Sequence, residues 1–248
     1  MRLDKAIVQR GLARSRNQAA RLIGEGRVLV AGEVCLRSAF EVGDEAIVVD
    51  AERYVSRAAY KLVDALDESG TRVSGRVLDA GASTGGFTQV VLERGADLVY
   101  AVDVGHGQLA DEVAADPRVV VREGLNLRDL VLDDVGGVPV DLVVGDVSFI
   151  SLRLLLAPLL SVLDRCGTAL LLVKPQFEVG REALGKGGVV SDPELRERVT
   201  DAVIADAAAL GWACDWRGES VLPGGDGNVE HFVRLVLADA AKSVGDPG

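Results

Sequence analysis

Four ionisable residues stand where short apolar runs give way to turns: Asp79, Asp103, Asp146 and Lys174. The first closes Val77-Leu78-Asp79 and leads into Ala80-Gly81-Ala82-Ser83-Thr84-Gly85-Gly86-Phe87-Thr88. A strand, a glycine-bearing turn and a helix start suit a nucleotide-type ligand, because glycine permits tight backbone and close approach. The spacing is not G-x-G-x-x-G, which argues against a pyrophosphate cradle. An acid before the first glycine suits a ligand carrying a positive or hydrogen-bond-donating group. The alternative is a strand–helix turn with no ligand. Asp103 ends the next apolar run, Leu98–Val102, where an acid can accept from ribose hydroxyls. Together the two acids suggest an adenosine-type ligand.

Lys174 ends Leu170-Leu171-Leu172-Val173. Burial there disfavours an ammonium and makes a general base available. Asp146, in Gly145-Asp146-Val147-Ser148-Phe149, lies at another strand end. Lys61 sits in a predicted helix, and Glu230 follows the glycine-rich stretch 224–227. A Lys, Asp, Lys, Glu alternation could hold a base in place. A purely structural ion-pair network, with Lys61 an ordinary exposed lysine, is the other reading.

Strand and helix patterns alternate after residue 70. Strands are expected at 76–80, 98–104, 118–122, 140–147 and 169–175, with helices at 88–94, 108–115 and 152–163. A helix opening at Ser191-Asp192-Pro193-Glu194 and strands at 213–221 and 231–237 follow. Continuous apolar strands between helices predict an α/β fold with a parallel, Rossmann-like sheet covered on both faces. In such sheets ligands bind outside the carboxyl ends of the strands, where the four residues lie. Ahead of it, helices at 3–10 and 16–23, a hairpin at 27–36 and a strand within 42–49 predict a small α+β domain. The expected division is 1–50, a linker 51–57, a second domain 58–240 and a frayed tail 241–248.

The chain has 248 residues, of which 48% are hydrophobic and 26% charged, and a net charge of −11. That charge opposes nucleic-acid binding until its distribution is considered. Residues 1–37 carry eight basic and three acidic side chains, and the remainder carries 19 basic and 35 acidic. The basic piece, with Arg2, Lys5, Arg14, Arg16, Arg21 and Arg27, is the part suited to phosphates. No apolar run has membrane-spanning length and the first residues lack an apolar signal core, so a cytoplasmic protein without a membrane partner is expected. Cys35, Cys166 and Cys214 are sparse and odd in number, which predicts neither a disulfide framework nor a metal site but buried apolar cysteines.

Arg2-Leu3-Asp4, Gly11-Leu12-Ala13-Arg14-Ser15-Arg16, Ala19-Ala20-Arg21-Leu22-Ile23, Gly26-Arg27-Val28 and Val30-x-Gly32 resemble the RNA-binding domain named after the fourth protein of the small ribosomal subunit. Tyr54–Leu62, Leu78–Thr88, Val102–Gly105, Gly145–Ser151, Lys174–Glu178 and Gly227–Glu230 resemble the FtsJ-like methyltransferases. The two together, over 1–238, resemble the TlyA family, whose members go by both haemolysin and rRNA 2′-O-methyltransferase. The resemblance implies S-adenosyl-L-methionine as methyl donor, bound by Asp79, Gly81, Ser83, Gly85, Gly86, Phe87 and Asp103. It implies the 2′-hydroxyl of rRNA, usually of a cytidine, as acceptor, on free rRNA or ribosomal subunits. It also implies a catalytic tetrad of Lys61, Asp146, Lys174 and Glu230, with no metal. His106, where an aromatic is expected, and Ala58-Ala59, in place of a glycine-containing pair, depart from the pattern without touching the tetrad. A monomer is expected. The competing classes are a membrane-active cytolysin, which no signal or amphipathic segment supports, and a non-catalytic RNA-binding protein.

Overall fold

The structure, a computed structural model, describes residues 1–24, 27–49, 54–180, 182 and 184–238. The chain forms two units, Met1–Arg53 and Tyr54–Gly248. Residues 51–53 of the expected linker 51–57 and all of the expected tail 241–248 lie outside the described residues.

In the first unit, α1 (Leu3–Gln9) buries Leu3, Ala6 and Ile7, one helical stripe. Ser15 caps α2 (Arg16–Gly24), its Oγ accepting from the Gln18 N–H at 3.2 Å, and Ala19, Leu22 and Ile23 meet the same core. Strands β1 (Val28–Val30), β2 (Glu33–Val34) and β3 (Ile47–Val49) make an antiparallel sheet in the order β2-β1-β3. Ala31 and Gly32, at φ 50° and 87°, supply the positive angles of a two-residue hairpin. The strand expected within 42–49 is only its last three residues.

The second unit is built on seven strands: β4 (Arg76–Ala80), β5 (Leu98–Asp103), β6 (Val119–Glu123), β7 (Val140–Gly145), β8 (Leu163–Val173), β9 (Trp212–Glu219) and β10 (His231–Leu237). Their order is β6-β5-β4-β7-β8-β10-β9, and β10 runs antiparallel to both neighbours. Adjacent strand residues serve opposite faces. Val77, Leu142 and Leu170 join Leu62, Leu66, Phe87 and Val91 on one side, packed beneath α3 (Ala58–Ser69) and α4 (Gly86–Glu93). Leu78, Val143 and Leu171 join Leu156, Leu159 and Val203 on the other, beneath α6 (Leu156–Ser161) and α8 (Pro193–Ala209). The expected Rossmann-like sheet with helices on both faces is thus present.

Several spans differ from expectation. The helix at 108–115 is only α5 (Asp111–Ala114). The helix at 152–163 is a 3₁₀ turn, Leu152–Leu154, followed by the short α6. Strand β8 starts at Leu163, which pairs with Val140 across a register shift, and Asp164, Arg165 and Cys166 within it are exposed. The proline expected to end that strand instead opens α7 (Pro175–Glu178), a first-turn position that needs no N–H. The cysteines are not buried: Cys166 is exposed, and Cys35 and Cys214 are half-buried.

Candidate active site

The chain lays down β4, β5 and β6 outward, then returns to the other side of β4 with β7. That reversal opens a crevice at the carboxyl ends of β4, β5 and β7. A cleft of about 450 Å³ occupies it, within the range of small-molecule sites. Gly81, Ser83, Asp103 and Gln108 lie on one side, Asp146 and Ser148 on the other, and Leu127, Val147 and Leu155 give an apolar wall. Its lining includes two carboxylates and no lysine or arginine. Such a site suits a ligand with cationic groups and an apolar ring far better than one with phosphates.

The turn after β4 explains part of the glycine pattern. Gly81 has φ 84°, and a Cβ there would stand 3.2 Å from the Asp146 carbonyl oxygen and 3.2 Å from Val147 Cα. It keeps the cleft floor open. Gly85 and Gly86 are not among the residues that line the cleft. A Cβ on Gly85, at φ 95°, would meet Leu109 at 2.8 Å, and one on Gly86 would meet Ser56 at 3.0 Å. Both are small so that α4 can pack against protein. Phe87 likewise belongs to the core, 3% exposed, stacked on Phe232 at 6.3 Å between centroids.

Asp103 is half-buried, and its two oxygens accept from the Gly105 N–H at 2.7 Å and the Ser83 N–H at 2.9 Å. One lone pair on each oxygen remains for a ligand hydroxyl. Ser83, at φ 47°, is bent into the cleft by this bond. Asp79 lies beneath the floor, fully buried, accepting from Thr88 Oγ1 at 2.6 Å, with Oδ1 unpartnered. Burial first, opposed by the Thr88 bond and reinforced by the charges of Asp146 and Asp103, pushes its carboxyl up to about 7.

The four tetrad candidates form two pairs. Lys61, on α3, is 5% exposed and donates to Glu230 Oε2 at 2.6 Å. Glu230 is 1% exposed, and it fits because Gly224 has no side chain: a Cβ there would come within 2.5 Å of Glu230 Oε1. Lys174, the residue between β8 and α7, places Nζ 2.6 Å from Asp146 Oδ1. That charge contact is off the hydrogen-bonding axis, since Oδ1 makes no hydrogen bond. Gln176 Nε2 donates weakly to Glu230 Oε1 at 3.4 Å and so links α7 to the first pair. Among the described residues no His, Cys, Asp and Glu cluster could hold a metal ion.

Sequence reasoning missed several residues around these pairs. Ser148 Oγ accepts from Lys174 Nζ at 2.7 Å. Phe149 is 91% exposed at the cleft rim, with φ 65° and its ring 5.4 Å from that of Phe177. Glu178 accepts from Ser151 Oγ and the Leu152 N–H, each at 2.6 Å, and fastens the loop after Asp146 to α7; burial pushes its carboxyl up. Asn228, fully buried, accepts from the Val190 N–H at 2.9 Å and donates to the Gly188 carbonyl at 3.1 Å. None follows a periodicity. Only the glycines and the apolar run beside them marked the neighbourhood.

In the first unit, Arg2, Lys5, Arg14, Arg16 and Arg21 are exposed and Arg27 is half-buried. Arg2 and Arg16 are already engaged with Asp4, at 3.1 Å and 2.7 Å. Their bonds hold its carboxyl down to about 2. Arg10 donates to the carbonyls of Gly43 and Glu45 at 2.6 and 2.7 Å and serves the fold of its own unit.

A doubly wound sheet, an acid-lined cleft at its switch point and a lysine at the cleft's edge define a group-transfer enzyme with a cationic, nucleoside-type donor. The chain belongs to the FtsJ-like methyltransferase family, whose pattern matches residues 54–241, and an S4 domain is matched over residues 1–48. It is 52% identical to the 16S/23S rRNA (cytidine-2′-O)-methyltransferase TlyA of Mycobacterium tuberculosis, over 94% of this chain and 89% of that one. It is 36% identical to the protein named Hemolysin A of Brachyspira hyodysenteriae, over 96% of this chain and 100% of the relative. A solved structure from Streptococcus thermophilus, provisionally named a hemolysin, matches with a TM-score of 0.76 and 38% identity, over 96% of this chain and 89% of that one.

Proposed function

We propose that the protein transfers a methyl group from S-adenosylmethionine to a ribose 2′-hydroxyl of rRNA, that of a cytidine. The observation that carries this reading is Lys174 Nζ held against Asp146 at the edge of a cation-friendly cleft. The cytidine and rRNA assignments follow the name of the Mycobacterium tuberculosis relative. S-adenosylmethionine supplies a methyl group made electrophilic by its sulfonium. Gly81 and Ser83 hold it close to the backbone, Asp103 accepts from its ribose, and Asp79 keeps α4 in place behind it through Thr88.

The protein's own task is then geometry and a deprotonated oxygen. Lys174 takes the proton of the 2′-hydroxyl, and Asp146 orients Lys174. Lys61 contributes positive charge that steadies the developing alkoxide, and Glu230 holds Lys61. Phe149 offers its exposed ring to the target base, since single-stranded bases stack on aromatic side chains. The S4 unit, residues 1–50, supplies phosphate contacts through Arg2, Lys5, Arg14, Arg16, Arg21 and Arg27. The catalytic unit is residues 58–240. The protein acts in the cytoplasm as a monomer, on rRNA or on ribosomal subunits.

The test is methyl transfer from tritiated S-adenosylmethionine to unmodified subunits, each assayed separately. Label at one position that resists alkaline cleavage is the expected result, with Lys174→Ala inactive yet still binding the donor. Full turnover by Lys174→Ala overturns the assignment. The cytolysin reading rests on the names of relatives alone. Among the described residues no helix is long and apolar enough to cross a membrane. Leakage from loaded liposomes would support it.

A further inference from the structure

Lys174 has a second neighbour that the tetrad does not include. Strands β7 and β8 are parallel, with Gly145 opposite Leu171. Three residues further along each chain stand Ser148 and Lys174. Asp146 and Ser148 are two apart, so in extended backbone both point to the same side. The positive φ of Phe149 turns the chain immediately afterwards. Two oxygens therefore flank one ammonium, Asp146 Oδ1 at 2.6 Å and Ser148 Oγ at 2.7 Å. Of these two, only the serine makes a hydrogen bond of good geometry. Both residues line the cleft.

An amine has three bonds and one lone pair to direct. A single acceptor leaves a lysine head free to swing on its four-carbon stem, and the off-axis carboxylate fixes its position but not its direction. A second acceptor at a different angle removes that freedom. The carboxylate also binds the ammonium far more strongly than the neutral amine, whereas a hydroxyl can pair with either, accepting from one and donating to the other. Ser148 Oγ is thus the neighbour that keeps contact when Lys174 changes its charge. It lies on the exposed wall of the cleft, so the bond needs no buried setting and does little for the fold.

Resting on the methyltransferase reading above, we propose that Ser148 is a positioning residue that aims Lys174 Nζ at the acceptor hydroxyl. In this role it acts through the lysine.

The test compares Ser148→Ala, Ser148→Thr and Lys174→Ala in the full-length protein, with S-adenosylmethionine and the subunit that the unsubstituted protein labels. Ser148→Ala is expected to lower kcat by about 10- to 100-fold, the size of effect that follows from a small misplacement of a reacting group. KM for the donor and for the subunit should stay within about twofold, because uniform binding is untouched. Ser148→Thr, which keeps the hydroxyl, should recover most of kcat. Donor affinity measured by calorimetry shows that each variant is folded. A Ser148→Ala kcat equal to that of the unsubstituted protein, with Lys174→Ala inactive, overturns the role of Ser148 and leaves the methyltransferase reading standing. Threonine performing as poorly as alanine also overturns it. Turnover by Lys174→Ala overturns both.

Discussion

Lys61 Nζ lies 2.6 Å from Glu230 Oε2, across 169 positions of sequence, with both side chains almost wholly buried. Two charges in that setting depend on each other, because removing one leaves the other desolvated and unpaired. Lys61→Met is therefore expected to cost about 3–5 kcal/mol of stability by urea denaturation. Lys61→Met combined with Glu230→Leu should regain most of that loss while methyl transfer stays absent. A double variant that turns over would reduce the pair to scaffolding.

Asp79 makes stability depend on pH. Its folded carboxyl keeps a proton up to about pH 7, whereas in the unfolded chain it releases one near the ordinary value of 3.8. Folding therefore takes up a proton between those values. Stability falls as pH rises through that window and levels off above it, by an amount on the order of 4 kcal/mol. Asp79→Asn, which keeps an acceptor for Thr88, should flatten the dependence. Donor-free denaturation at pH 5 and pH 8 measures it, and an equal slope in both proteins counts against this assignment.

Gly81 and Gly85 look alike in sequence and should fail differently. Gly81→Ala strains a backbone held at φ 84° and presses a methyl against the Asp146 carbonyl and Val147 on the floor of the cleft, so donor binding should drop at least about tenfold, more than the accompanying fall in melting temperature accounts for. Gly85→Ala drives a methyl into Leu109 and Val113, and overpacking of that kind costs about 1–3 kcal/mol. Its melting temperature should fall, with donor affinity following only as the fold is lost. Calorimetry and thermal melts on the same samples separate the two.

For the S4 unit, Arg14→Ala together with Arg16→Ala should weaken RNA binding and flatten the plot of log affinity against log salt. Each lost phosphate contact removes about 0.7–0.9 of slope. Because Arg16 already pairs with Asp4, the drop should fall short of two full contacts. An unchanged slope takes these arginines out of the RNA interface.

The architecture was legible because strand cores such as Val77–Leu78 and Leu170–Val173 are apolar on both faces, which only a sheet covered on both sides explains. Boundaries were less so. The leucine-rich run 154–160 fits a buried helix or strand equally well, so the early start of β8 at Leu163 carried no signal. The ionisable residues were visible as strand-end exceptions to apolar runs. Their pairing came only with the family resemblance, because nothing in local spacing connects Lys61 with Glu230. Ser148 and Gly224 were missed for a related reason: one is defined by the register between two strands, the other by the volume a distant carboxylate needs.

Strand β10 slots between β8 and β9, both of which precede it in the chain, and Glu230 stands directly ahead of it. A nascent chain that ends at β9 lacks the partner of Lys61. On the proposed mechanism, methyl transfer is therefore expected only once nearly the whole catalytic unit has been synthesised.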